Sequence, residues 1–108
     1  MLQLKSGHLL FDSELVNQLF GNDEQVNTVY YPERKDLLIA PRSKTFFQKL
    51  HKTSWTALKL KNPKGDKTIF IRDLLLDHDI DDTDRQLEFE VKSTGIIEIK
   101  LWNVSARP

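Results

Sequence analysis

The chain has 108 residues and no cysteine. Disulfides and cysteine-ligated zinc are excluded, and a reducing, cytoplasmic setting is the simpler expectation. Histidine is scarce: His8, His51 and His78 stand far apart, outside any His-Glu metal motif. A glycine-rich phosphate loop is missing, and so is a nucleophile elbow. With no catalytic constellation to point to, the expectation is a protein that is not an enzyme and needs no cofactor or metal. No apolar run approaches the ~20 residues of a membrane-spanning helix, and residues 1–10 lack the continuous apolar core of a signal peptide.

What is present fits an ordinary globular chain: 39% hydrophobic and 30% charged residues, enough for one domain over 1–108. The net charge of zero conceals a pattern. Residues 1–33 hold one lysine and five acids, 34–67 ten basic residues and two acids, and 68–108 five basic residues and nine acids, giving local charges of −4, +8 and −4. A basic middle attracts phosphates or an acidic partner. The competing reading is neutralisation against the acidic flanks.

The element pattern is stated twice. Leu2 and Leu4 alternate with Gln3 and Lys5, Gly7 allows a turn, and 8–11 form a second apolar strand. Asp12 or Ser13 caps a short helix with Leu15, Val16 and Leu19 on one face, and Gly21 stops it. A strand follows with Asn27, Val29 and Tyr31 on one side and Val26, Thr28 and Tyr30 on the other. After the turn at 32–36 the chain returns along 37–40. Displaced by 60 positions, Phe11 falls on Ile71, Leu15 on Leu75, Val29 on Phe89, Leu37 on Ile97 and Ile39 on Ile99. In this second unit 57–61 begins as a strand with Leu58 and Leu60 on one face. Asn62 to Gly65 turn the chain, and Asp73 caps a helix of Leu74, Leu75 and Leu76. Leu87, Phe89 and Val91 alternate with charged residues on a strand that pairs with Ile97, Ile99 and Leu101. Unit one thus covers 1–41, a linking amphipathic helix built on Phe46, Phe47 and Leu50 covers 42–53, unit two covers 54–102, and 103–108 form a tail.

The stretches LKSGHLLFDSELVNQLFGNDEQVNTVYYPERKDLLIAP and KNPKGDKTIFIRDLLLDHDIDDTDRQLEFEVKSTGIIEIKL resemble the swapped-hairpin units of the AbrB, MazE and MraZ group. That resemblance implies a mainly β fold with short helices: a swapped-hairpin β-barrel of two tandem pseudo-symmetric units. It also implies a DNA-binding regulator. The chain departs from the group at the glycine turns. An Asp-x-Lys-Gly-Arg motif is expected there, but Leu4 stands in place of Asp near Gly7, Asn62 replaces Asp, and Asp66 replaces Arg.

The nucleic-acid-binding candidates are therefore Arg42, Lys44, Lys49, Lys52, Lys59, Lys61, Lys64 and Lys67, which would neutralise phosphates without reading bases. Lys5 and His8 add basic groups at the first glycine turn. Tyr30, Tyr31, Phe46, Phe47, Trp55 and Trp102 either stack on single-stranded bases or pack the ends of the fold, and packing is the expected role. Asp77 to Glu88 match part of a calcium loop, but Asp82 and Asp84 occupy positions that need glycine and an apolar residue. That run reads as a polar turn. Partners implied are DNA and a second copy of the chain, with no membrane and no small-molecule substrate. The rival function is a protein-interaction or structural module of the same fold.

Overall fold

A computed structural model describes residues 2–50 and 53–101, apart from the side chains at 45, 48 and 50. Lys52, Trp102, the Leu50 side chain and the 103–108 tail lie outside the described residues. Among the described residues ten strands, β1 (Leu2–Lys5), β2 (His8–Phe11), β3 (Gln25–Tyr31), β4 (Asp36–Pro41), β5 (Ser54–Ala57), β6 (Lys59–Leu60), β7 (Lys67–Phe70), β8 (Arg85–Gln86), β9 (Phe89–Val91) and β10 (Ile97–Lys100), are interspersed with short helices α1 (Ser13–Leu19), α2 (Thr45–Leu50) and α3 (Arg72–Asp77). The mainly β class agrees with the sequence reading. No helix of the described residues is long and apolar enough to cross a membrane.

The strands form two antiparallel sheets. Sheet one runs β6-β7-β2-β1-β8 and sheet two runs β5-β3-β4-β10-β9. Alternation places Leu2, Leu4, Leu9, Phe11 and Ile69 of sheet one against Val26, Leu37, Ile39, Ile97 and Ile99 of sheet two, all buried in one core. Each such side chain contributes roughly 1.5–3 kcal/mol when taken from water. Leu15, Val16 and Leu19 of α1 and Leu75 of α3 complete that core.

The expected barrel does not close. The chain changes sheets at two buried leucines. Residues 54–60 leave sheet two after β5, turn at Leu58, and join sheet one as β6; the Leu58 N–H donates to the Glu24 carbonyl (2.9 Å). Residues 85–91 pass the other way at Leu87, whose N–H donates to the Leu2 carbonyl (3.0 Å). Strand twist swings the end of each segment off its first neighbour, so a corner replaces a continued ladder. The strand expected over 87–91 is accordingly shortened to Phe89–Val91, with Leu87 left at the corner. Leu60, expected beside Leu58 in the core, lies past the corner on the edge of sheet one and is 64% exposed.

Local signals worked where side chains act on their own backbone. Asp12 caps α1 by accepting from the Leu15 N–H (3.0 Å), and Gly21 follows the helix at φ +57. Asp73 does not cap α3. The helix begins two residues earlier than that cap would place it, with Ile71 at its N-cap and no side-chain cap. Instead the Ile71 N–H donates to the Gly7 carbonyl (2.9 Å), so α3 starts where the β1–β2 hairpin turns. Residues 6 and 7 of that hairpin both take positive φ, as a type I′ turn requires. A Cβ on Gly7 would also sit 2.8 Å from the Arg72 Cβ.

The acidic run at 77–84 is organised by a cation already in place. Arg85 donates to the carbonyls of Asp81 (2.7 Å), Thr83 (2.9 Å) and Leu101 (2.8 Å). Asp84 accepts from the Ser6 N–H (2.8 Å), and Asp82 lies 4.0 Å from Arg72. Among the described residues no three metal-ligating side chains converge.

Candidate nucleic-acid interface

The outward-pointing residues of sheet one form a short grid. Across β1, β2 and β7 the register aligns Lys5, His8 and Phe70. The next outward row aligns Gln3, Leu10, Thr68 and, on β6, Lys59. Neighbouring strands are about 4.8 Å apart, so these side chains are in reach of one another. Phe70 is 51% exposed. Its ring meets His8 edge-on, with centroids 5.0 Å apart and an interplanar angle of 61°. His8 is held in turn, because its Nδ1–H donates to the Ser6 carbonyl (3.0 Å).

Two hollows adjoin on this face and share His8 and Thr68. One, of about 280 Å³, is lined by Lys5, Ser6, Leu10 and Lys61 as well. The other, of about 390 Å³, is completed by Thr56, Ala57, Lys59 and Phe70. The result is a shallow groove with an aromatic and aliphatic floor and three lysines at its rim. None of Lys5, Lys59 and Lys61 makes an ion pair with a described residue.

The eight sequence candidates do not form one surface. Lys59 and Lys61 reach the groove, and Lys64 is exposed on the 61–66 turn beside it, where its N–H donates to Asn62 Oδ1 (3.1 Å). Lys67 has a structural contact: its Nζ donates to the carbonyls of Asp23 (2.9 Å) and Gly21 (3.4 Å), fastening β7 to the exit of α1. Arg42 lies elsewhere, with its guanidinium 5.9 Å from the centre of the Trp55 ring and its N–H donating to Asp23 Oδ2 (3.1 Å). The Lys44 stem lies against Gly95, and Lys49 is exposed at the end of α2. Lys52 is outside the described residues. No ion pair joins any described candidate to the acidic run at 77–84.

Phe70, Leu10 and Thr68 were not legible as site residues. The available signal was strand parity: Ile69 and Ile71 are both buried, so the aromatic between them has to face outward. The aromatics flagged in the sequence divide between packing and solvent, with Phe46 38% and Trp55 48% exposed. Phe47 is fully buried, while Tyr30 lies 4.6 Å from the His78 ring and packs on the core.

The opposite outer face, on sheet two, has a different character. Phe47 of α2 packs there with Ala40 and Ile96, and with the partly buried Val29 and Leu38. Three of its cations are matched, while Arg42, Lys44 and Lys49 beside it make no ion pair with a described residue. Lys100 donates to Asp36 (2.9 Å), Arg34 lies 3.3 Å from the same carboxylate, and Lys92 lies between Glu90 (2.6 Å) and Glu98 (3.5 Å). The hydrogen bond to Asp36, followed by the charges of Asp36 and Glu98, holds the Lys100 ammonium pKa above its ordinary value against the opposing effect of burial. No protein-family model, no curated protein and no solved structure matches this chain.

Proposed function

We propose that the chain is a non-enzymatic, regulator-like nucleic-acid-binding module that holds phosphates at the outer face of sheet one. The observation that carries this reading is the convergence of unpaired lysines on one groove. Arg34, Lys92 and Lys100 on sheet two are each within 4 Å of a carboxylate. Lys5, Lys59 and Lys61 converge on one groove with no carboxylate at ion-pair distance among the described residues. Unneutralised cations around a groove are what a polyanion needs, through release of its counterions.

With this goes a proposed architecture of two interlocked units related by 60 positions. In sheet one Leu9 pairs with Ile69, and His8–Phe70 and Leu10–Thr68 exchange places under that displacement. In sheet two Leu37–Ile99 and Ile39–Ile97 do the same. The swapped-hairpin resemblance adds a regulator's setting, while its DNA-gripping turn residues are absent here. The lysine groove is the surface proposed in their stead.

The test is binding of a labelled duplex of arbitrary sequence, and of one of its strands, at about 50 and about 200 mM salt. Three phosphate contacts predict a roughly 20- to 40-fold loss of affinity over that range. Replacing Lys59 and Lys61 with glutamate should remove most binding at low salt. If neither nucleic acid binds wild-type protein at low salt, this reading fails and the interaction-module alternative takes its place.

A further inference from the structure

The groove holds more than charge. An exposed ring beside lysines offers a nucleic acid a stacking surface as well as charge. Phe70 lines the larger hollow with Lys59 and Thr68, is half exposed, and meets edge-on the His8 ring that lines both hollows. The lysines lie around it, with Lys5 and Lys61 on one hollow and Lys59 on the other.

We propose that this face binds single-stranded nucleic acid, with a base stacked on Phe70 and the flanking phosphates held by Lys5, Lys59 and Lys61. This deepens the phosphate-binding reading and rests on it. Charge complementarity selects a polyanion as the occupant, and the aromatic floor selects a strand whose bases are free. In a duplex the base faces are already stacked on one another, so a rigid ring rising from a sheet meets only backbone. A single strand can turn a base onto the ring and lay its phosphates at the rim, the combination used by aromatic platforms in basic grooves. Every base has a stacking face, so the expected binding is tolerant of sequence. The acidic groups bordering the face, Asp84 behind Ser6 and Asp66 behind the 61–66 turn, are engaged by backbone N–H groups of Ser6 and Ser13.

The experiment is fluorescence anisotropy with labelled oligothymidine and oligouridine of about 12 nucleotides, a length within the usual site size for such surfaces. A duplex of the same length is measured at the same low salt. The expected result is at least roughly tenfold tighter binding of single strands than of duplex. Phe70→Ala should weaken single-strand binding by about 5- to 150-fold, the range for loss of one stacked base. Duplex binding should change less than about twofold, and Phe70→Tyr should retain the strand preference. Unfolding of each variant is measured alongside, to separate loss of the site from loss of the fold. Comparable binding of duplex and strand by wild type, or strand binding unaffected by Phe70→Ala, overturns the single-strand proposal and leaves phosphate binding standing. Absence of binding to any of the three probes overturns both. The thymidine and uridine arms separate a DNA from an RNA ligand.

Discussion

The two outer faces of this molecule are built from the same alternating strands, yet they differ in how far their strand residues are covered and paired. On sheet two, α2 lies over the strands and buries Phe47, and three cations sit against Asp36, Glu90 and Glu98. On sheet one, no described element covers Phe70, and Lys5, Lys59 and Lys61 have no carboxylate within ion-pair distance. The difference traces to composition. The outward positions of β4, β9 and β10 include acids beside their lysines. Those of β1, β2, β6 and β7 hold Gln3, Lys5, His8, Leu10, Lys59, Thr68 and Phe70, without one acid. A face whose groups satisfy one another is a structural face. A face left with uncompensated charge and an open ring is the one proposed to take a partner.

The sharpest way to break the comparison is to remove one phenylalanine from each face. Phe47→Ala should cost about 3–5 kcal/mol of stability, the range for deleting a buried aromatic. Phe70→Ala should change stability by less than about 0.5 kcal/mol, because its ring is half in water already. Urea unfolding of the two variants measures both. Equal losses would mean that sheet one is packed as tightly as sheet two, and the case for an open binding face would collapse.

Charge offers the second contrast. Asp36 is only 1% exposed and receives both Lys100 and Arg34. Asp36→Ala should destabilise by about 1–3 kcal/mol, the scale of a lost charged hydrogen bond. Lys59→Ala, on the other face, should leave stability within about 0.5 kcal/mol while weakening nucleic-acid binding. Gly7→Ala tests what holds the open face in shape. At φ +77 and with the Arg72 Cβ 2.8 Å from any added Cβ, the variant should lose about 1–3 kcal/mol. The same variant should misplace Lys5 and His8, so binding should fall with it. Unchanged melting of Gly7→Ala would show that the hairpin does not depend on this turn.

How much of this was legible beforehand depended on the range of the interaction. The Asp12 cap, the Gly7 turn and the strand parity of Asn27 and Val29 are decided within a few residues, and they could be read. The change of sheet at Leu58 and Leu87 could not. A buried leucine at a corner and one in a continuous strand look alike in sequence, and only the twist of assembled sheets tells them apart. The same limit blurred the site. Ten basic residues between 34 and 67 read as one patch, but the corner at Leu58 sends Lys59 and Lys61 to one sheet and leaves Arg42, Lys44 and Lys49 by the other. Lys5, distant in sequence, arrives through the β2–β7 pairing.

The smallest expected effect is a pH dependence belonging to sheet two. The Lys100 ammonium is raised in pKa chiefly by its hydrogen bond to Asp36, and the Tyr30 phenol is raised by burial and then by the charge of Asp36. Unperturbed lysine and tyrosine titrate near 10.4 and 10. Below those values both groups hold their protons whether the chain is folded or not, and their stabilising contribution is fully present. Above about pH 10 the unfolded chain releases protons that the folded chain still binds, so stability falls as pH rises through the folded values. Lys100 is 37% exposed, and water and salt screen it, which keeps the slope modest. Melting temperature at constant salt should therefore decline above about pH 10. The double variant Lys100→Gln, Tyr30→Phe should show a shallower decline, and Phe70→Ala should keep the wild-type slope. A double variant as steep as wild type would remove Asp36 and its partners as the source of the effect, and with it the claim that charge pairing contributes to the stability of sheet two.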